Sequence, residues 1–380
     1  MNGFMKSILF LQILFSTFFF DSFWGFQGLS LFPVIIFSFF IALKSINTRL
    51  TLIEYSSILT IILSLLIALL FVILKYGFNV YILKPYLSVA IGVFIFIFSV
   101  NYYKSIRKID LINVLNCVIV FNVIILYLQL ILWYVFNYDL DIGKLLLGFG
   151  HRAIGFDGSY RATGVFDEPG IYGVFIYSLF VIRYIIKREL SAFDFIIILS
   201  IVLTKSFYSY ILLFLFFSWC FVYEFESRFK EYIYGFLVLV LFFVIYLLLP
   251  RIDSIVGGTD YSTLTKIVMI KNYLYDNSQY YIYGSGLLPS SYWPNFGFQS
   301  VGDMTFFISS LIIYGIPLGA LIIASIMILM SNNQISKYYM LALTPLIKLT
   351  MLNWSFFWIY ILCVRVALSL MNKSENNNEK

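Results

Sequence analysis

The chain has 380 residues, of which 62% are hydrophobic and 12% charged, with a mean hydropathy of +0.94 and a formal net charge of +6. That composition excludes a soluble globular enzyme, and apolar runs close to the roughly 20 residues needed to cross about 30 Å of hydrocarbon recur throughout. The surplus of positive charge follows the pattern of membrane topology, so no nucleic-acid partner is expected.

The first apolar run follows Lys6, but Phe18, Phe19, Phe20 and Asp21 offer no small-residue cleavage site, so it reads as a retained first span. Further spans are predicted near 28–43, 56–74, 86–103, 111–137, 169–186, 191–204, 206–223, 232–249, 304–330, 338–351 and 353–371. With the first, near 5–20, this makes about twelve transmembrane helices. Lys205 and Lys348 interrupt the runs 191–223 and 338–371, and each run could instead be one tilted or kinked helix. Cys117, Cys220 and Cys363 all fall inside apolar runs and read as small hydrophobes. The expected fold is an all-α polytopic membrane protein, a single transmembrane domain over 1–380. Its polar parts are a first large external loop, 138–168, a second, 250–303, and a polar tail, 372–380.

Orientation follows from lysine and arginine. A cytoplasmic N-terminus places Lys6, Lys44, Arg49, Lys104, Arg107, Lys108, Arg183, Lys187, Arg188, Arg228, Lys230, Lys337, Lys373 and Lys380 inside, and leaves Lys75, Lys84, Lys205 and Lys348 outside. Both termini are then cytoplasmic, and the two large loops share the outer face. Arg183 and Arg365, near span ends, are expected to snorkel.

The first loop sets Lys144, Arg152 and Arg161 among Asp139, Asp141, Asp157, Asp167 and Glu168, and is acidic overall. An arginine in such a setting either pairs with a neighbouring carboxylate or awaits an anionic ligand. Arg152-Ala-Ile-Gly-Phe-Asp157 is echoed by Arg161-Ala-Thr-Gly-Val-Phe-Asp167. Two glycine turns of this kind could bring backbone N–H groups to the two phosphates of a diphosphate. Asp167, Glu168 and Pro169 read as a helix start, with Glu168 either a cap or a general base. Asp139 and Asp141 read as solvated loop and His151 as a bystander.

The second loop places Arg251, Lys266 and Lys271 among Asp253, Asp260, Asp276 and Asp303. Leu264, Ile267, Val268 and Leu274 recur at helical spacing over 261–274, which predicts a helix lying on the membrane surface with its lysines as interfacial anchors. Tyr280-Tyr-Ile-Tyr-Gly-Ser-Gly286 and Trp293 follow; Tyr283 and Trp293 are candidates to face sugar rings, although the interface alone attracts such aromatics. No Walker loop, His/Cys cluster or Gly-x-Ser-x-Gly elbow is present, and neither a metal nor a cofactor is expected.

About twelve spans, two arginine-bearing external loops, Arg161-x-x-Gly-x-Phe-x-Glu-Pro169 leading into a helix, and Tyr-Gly-Ser-Gly286 through Gly302-Asp303 before a span containing Tyr314-Gly315 resemble the O-antigen and capsular polysaccharide polymerases of the Wzy type. The resemblance implies the GT-C-like architecture of polymerases and ligases and a metal-independent glycosyltransferase of the bacterial inner membrane, serving lipopolysaccharide or capsule synthesis. Its substrates would be undecaprenyl-diphosphate-linked repeat units, with the growing glycan moved from its carrier to the next unit at the outer leaflet, and a chain-length regulator protein a further candidate partner. Carried over by position, Arg161 and Arg251 would hold the diphosphate with Arg152 in support, and Glu168 or Asp303 would be the base. A ligase of related topology would normally show a histidine in the second loop, and 250–303 contains none. A flippase of about twelve spans is the alternative from another class.

Overall fold

The structure is a computed structural model that describes residues 3–18, 28–44, 50–147, 150–154, 158–224, 261–276, 280–288, 298–331 and 337–378, with positions 249 and 257. Among these residues every regular element is helical, apart from one isolated antiparallel bridge between Ile154 and Tyr160. In chain order the helices are α1 (Gly3–Thr17), α2 (Gly28–Lys44), α3 (Leu52–Tyr76), α4 (Val80–Lys104), α5 (Lys108–Phe136), α6 (Ile142–Leu147), α7 (Pro169–Lys187), α8 (Ala192–Leu203) and α9 (Phe207–Tyr223). Then come α10 (Tyr261–Lys271), a π turn (Asn272–Asp276), α11 (Tyr280–Tyr283) and a 3-10 turn (Phe298–Asp303). The last helices are α12 (Phe306–Tyr314), α13 (Ile316–Ser331), α14 (Lys337–Leu343) with a 3-10 turn (Thr344–Ile347), and α15 (Ser355–Asn378).

Four helices, α3, α4, α5 and α7, are long and apolar enough to cross a membrane, and α1, α2, α8, α9, α13 and α15 contain shorter apolar stretches. On α3 the large side chains of Leu59, Leu63, Leu66, Leu70 and Leu74 recur at helical spacing and are all exposed, a stripe suited to lipid. By contrast α7 is buried along nearly its whole length and packs against α5, α8, α9, α14 and α15. The coarse class is that of a helical membrane protein with α7 at its centre. The expected span 232–249 lies outside the described residues except at Leu249.

Side-chain pairs give the helix directions. Arg183 meets Asp194 and Tyr172 meets Ser200, so α8 runs antiparallel to α7. Phe180 packs on Phe216 and Tyr184 on Trp219, so α9 runs parallel to it. The run 191–223 is therefore a helical hairpin, with Lys205 in its turn at φ 51°. At the far end of the chain Trp219 Nε1 donates to Lys337 O and Tyr177 OH meets Thr344 Oγ1, so α14 runs against α9. Phe175 stacks on Phe356 and Arg188 donates to Met371 O, so α15 runs back alongside α7. The run 338–371 is thus also two segments, with Lys348 in the break. We call the end carrying the first residues of α7, α9 and α15 the loop face.

Two expectations need correction. The single span 304–330 is two helices: α12 folds back on α13 about Gly315, so that a Cβ at Gly319 would lie 2.6 Å from Ser310 O. The carbonyls this reversal would strand are satisfied, because Ser285 N donates to Ile312 O and Gly286 N to Ile313 O, both at 2.9 Å. Gly284 and Gly315 make the approach at φ 72° and 79°, with no room for a Cβ between their backbones. The second concerns Arg183 and Arg365, which do not snorkel. Arg183 is 3% exposed and pairs with Asp194 while donating to Asn116 Oδ1, and Arg365 is 6% exposed and pairs with Glu54 at 2.7 Å while donating to Leu329 O. A buried carboxylate on a neighbouring helix holds each arginine more strongly than distant water can.

Candidate functional site

The first loop is fastened to the bundle by Gln129, a fully buried polar residue of α5. Its Oε1 accepts from Thr163 N at 3.0 Å and Gly164 N at 2.7 Å, and its Nε2 donates to Leu140 O and Gly164 O, each at 2.9 Å. Arg161 N donates to Ala153 O and Arg152 N to Asp167 O, both at 2.7 Å, so that 152–154 lie against 160–161 as a short antiparallel hairpin tied to the residue before Glu168. His151 closes the assembly, its side chain only 4% exposed: Nδ1 meets Thr163 Oγ1, Nε2 meets the Asp139 carboxylate at 3.0 Å, and its N–H donates to Asp141 Oδ2. Tyr160 stacks on Trp133 and donates to Asp139. The expectation of a bystander histidine is thereby overturned, and the two aspartates, although Asp139 stays exposed as expected, also clasp the loop, because the buried segment needs partners for its polar groups.

The glycine argument also changes. Gly164 takes φ 64°, and a Cβ there would lie 2.7 Å from the Tyr172 ring, so glycine is needed for the turn onto α7. Its N–H, like those of Arg152, Arg161 and Thr163, is taken by other protein groups and does not form a phosphate nest. What the hairpin offers a ligand is guanidinium, with Arg152 exposed and Arg161 half-buried.

The second loop meets the first around Asp303. This residue ends the 3-10 turn that precedes α12, whose N-cap Thr305 accepts from Ile308 N. Its carboxylate pairs with Lys348, which stands in the break before α15 with a side chain only 10% exposed, whereas that of Asp303 is 50% exposed. Thr350 Oγ1 donates to Gly302 O at 2.6 Å and ties the two turns together. Tyr208, in the first turn of α9, donates to Asp303 O at 3.2 Å and accepts from Lys266 Nζ at 3.1 Å. The ammonium groups of Lys348 and Lys266 lie 4.7 and 5.1 Å from its ring centre. Partial burial pushes the Asp303 carboxyl upward, but the charges of Lys348, Lys266 and Arg152 outweigh it and hold the group below its ordinary range. Lys348 thus meets this carboxylate directly, Lys266 reaches it through Tyr208, and Arg152 of the first loop acts on it through its charge.

Glu168 heads α7 at the same face of the bundle, since Gly170 abuts Ser206 and Gly173 abuts Ser209 where α9 begins. Its carbonyl accepts from Ile171 and Tyr172, but its carboxylate makes no capping hydrogen bond. Of the two sequence readings, a side-chain cap is therefore the one not realised. The helix expected over 261–274 is present as α10 and the π turn: Leu264, Ile267 and Leu274 are exposed while Thr265, Met269 and Tyr273 pack inward. Lys266 is no interfacial anchor, because it turns in toward Tyr208 and Asp303. Tyr283 packs on Phe71 of α3, ring centres 4.4 Å apart, in the segment that supports the α12–α13 reversal, and its described contacts do not reach the Asp303 cluster. Arg251 and Trp293 lie outside the described residues.

Lys266, Lys348 and Tyr208 were missed by sequence reasoning. Lys348 carried a signal, a lone cation in an apolar run, which in a membrane protein marks function by default; Tyr208 carried none in a chain with 30 tyrosines. No protein-family model matches the chain, and no curated protein or solved structure is significantly similar to it. The site therefore has to be read from its chemistry. Fixed cations beside the starts of α7, α9 and α12, whose dipoles add positive potential, suit a polyanion such as a diphosphate.

Proposed function

We propose that the chain is a polysaccharide polymerase of the bacterial inner membrane, about twelve spans in a GT-C-like arrangement, whose loop face lies at the outer leaflet. The observation that carries this reading is the Asp303–Lys348 pair with Tyr208 and Lys266 around it, on which the charge of Arg152 from the first loop also acts, because it brings both large loops to one cationic site at the loop face. In the reaction, a hydroxyl oxygen of the incoming repeat unit attacks the anomeric carbon of the growing glycan. The bond from that carbon to the undecaprenyl diphosphate breaks, and the hydroxyl proton passes to Glu168. Arg152 and Arg161, with Arg251 by its sequence position, meet the charge that develops on the departing diphosphate, and arginine does so without proton exchange. Asp303, paired and acidic, suits the role of base less well than Glu168, because a base needs affinity for the proton. Tyr283, and Trp293 by its sequence position, stand as candidates for the sugar chain.

The folding back of α12 on α13, with α14 breaking at Lys348, also favours a second reading, a lipid-linked-unit flippase, since discontinuous helices frame the central sites of transporters. Purified protein in nanodiscs, given synthetic undecaprenyl-diphosphate repeat units and no nucleotide, should produce a ladder of products that Arg161→Ala abolishes. In cells, loss of a polymerase leaves single repeat units on the final acceptor, loss of a ligase leaves long lipid-linked chains, and loss of a flippase strands single units on the cytoplasmic leaflet. Stranded units, with no ladder in vitro, would move the assignment to the flippase.

A further inference from the structure

We infer that Asp303 is a resident counter-anion of the cationic site, and that a phosphate-bearing ligand binds by displacing it from Lys348. The inference rests on the reading above, that this site takes an anionic substrate, and adds how Lys348 is kept paired between ligands.

The argument starts from exposure. The Lys348 side chain is 10% exposed and approachable where it meets Asp303, whose own side chain is 50% exposed. A lysine so enclosed requires a counter-charge, and one removed from water without a partner is strongly disfavoured. Asp303 supplies that charge from a turn that can be vacated, since its carboxylate, once released, already faces solvent. The surrounding polar groups hold the backbone rather than the carboxylate: Tyr208 donates to Asp303 O and Thr350 to Gly302 O. Rotation of the Asp303 side chain alone therefore opens Lys348 to a ligand, with the turn, Tyr208 and Lys266 left in place. A phosphate brings more negative charge and more acceptor oxygens than a carboxylate, and the neighbouring Lys266 and Arg152 can join in holding it. A neutral sugar or an uncharged lipid gains nothing from the exchange. The arrangement selects for the charged end of the substrate and keeps the lysine paired between turnovers.

The test uses the full-length protein in nanodiscs and inorganic pyrophosphate as probe, with binding followed by calorimetry. Asp303→Asn should bind pyrophosphate roughly two- to fivefold more tightly than the wild type, the range expected when a partly exposed ion pair no longer has to be broken. Lys348→Met should bind at least about tenfold more weakly, and Asp303→Asn should give no gain in the Lys348→Met background. Unchanged or weaker binding by a folded Asp303→Asn protein overturns the inference. If that variant does not accumulate, the wild type still decides: saturating pyrophosphate should protect Lys348 from an amine-reactive reagent read by mass spectrometry, and absence of protection overturns the inference. The two readings separate cleanly. A product ladder from the wild type with no gain in Asp303→Asn leaves the polymerase standing and removes the counter-anion. Tighter binding by Asp303→Asn, with no ladder from the wild type, does the reverse.

Discussion

Replacing Gln129 by leucine tests whether the loop face is organised from inside the bundle. The change conserves volume closely but deprives four main-chain groups of their partner: the N–H groups of Thr163 and Gly164 and the carbonyls of Leu140 and Gly164. Thr163 and Gly164 are fully buried or nearly so, and a buried polar group left unpaired costs about 1–3 kcal/mol. Water entering from the loop face relieves part of that cost, so the lower bound applies to each group and the total is roughly 3–4 kcal/mol. Because about 1.4 kcal/mol is a factor of ten, the local opening that exposes these amides should become more than about a hundredfold more frequent. Hydrogen exchange followed by mass spectrometry on peptides covering 158–168 reads this directly, with peptides from α4 as the unaffected control. Polymer formation should fall in parallel, since Arg152, Arg161 and Glu168 are positioned by the same hairpin. Exchange over 158–168 within about threefold of wild type, in a variant shown to carry leucine at this position, would refute the clasp and the energetic reasoning together.

Three further outcomes follow from other parts of the structure. Gly315→Ala forces a side chain to within 2.3 Å of Ile282 O at φ 79°, so it should cost more than about 2 kcal/mol, seen as a lowered Tm and new proteolysis within 280–288; an unchanged digestion pattern speaks against the reversal. Arg365→Met leaves the buried Glu54 with one partner fewer, so it should destabilise by about 3–5 kcal/mol, and adding Glu54→Gln should recover at least about 1 kcal/mol of that loss. Strict additivity in that double-mutant cycle would show the pair to be idle. The third outcome concerns pH. A carboxylate held below its ordinary value contributes stability above its unfolded-state pKa and loses it as pH falls through the folded-state value. The difference in Tm between wild type and Asp303→Asn should thus be level from about pH 8 to about pH 5 and shrink only below about pH 4, whereas a collapse between about pH 7 and 5 contradicts the pairing.

Much of the helical layout was legible because hydrophobicity and charge act over whole segments. The runs 191–223 and 338–371 show where that legibility ends: Lys205 and Lys348 marked both interruptions, but only contacts with α7 reveal that each run reverses. At 304–330 the sequence carries no charge at all after Asp303, and the reversal at Gly315 depends on a partner outside the run, the backbone of 284–286. Long-range satisfaction of carbonyls leaves almost no trace in local composition. The glycines are that trace: the backbone of Tyr-Gly-Ser-Gly286 supports a helix reversal, a role its aromatic side chains do not announce.

The site divides along the same line. Arg152, Arg161, Glu168 and Asp303 stood out because polar residues are conspicuous between apolar runs, and the structure brings Arg152 and Asp303 from separate loops into one electrostatic neighbourhood. Lys348 was equally conspicuous but was treated as a boundary, since a lysine in an apolar run can equally mark a loop. The deciding fact is its depth: the seven residues of α14 and four of the 3-10 turn rise only about 18 Å, short of the roughly 30 Å a span requires. A chain that stops there must bury its lysine among neighbouring helices or supply a counter-charge, and Asp303 supplies it from 45 residues earlier. The polar loop residue and the apolar-run lysine thus become intelligible only together. Only the enclosed lysine is costly alone, and the half-exposed aspartate answers it from the loop face.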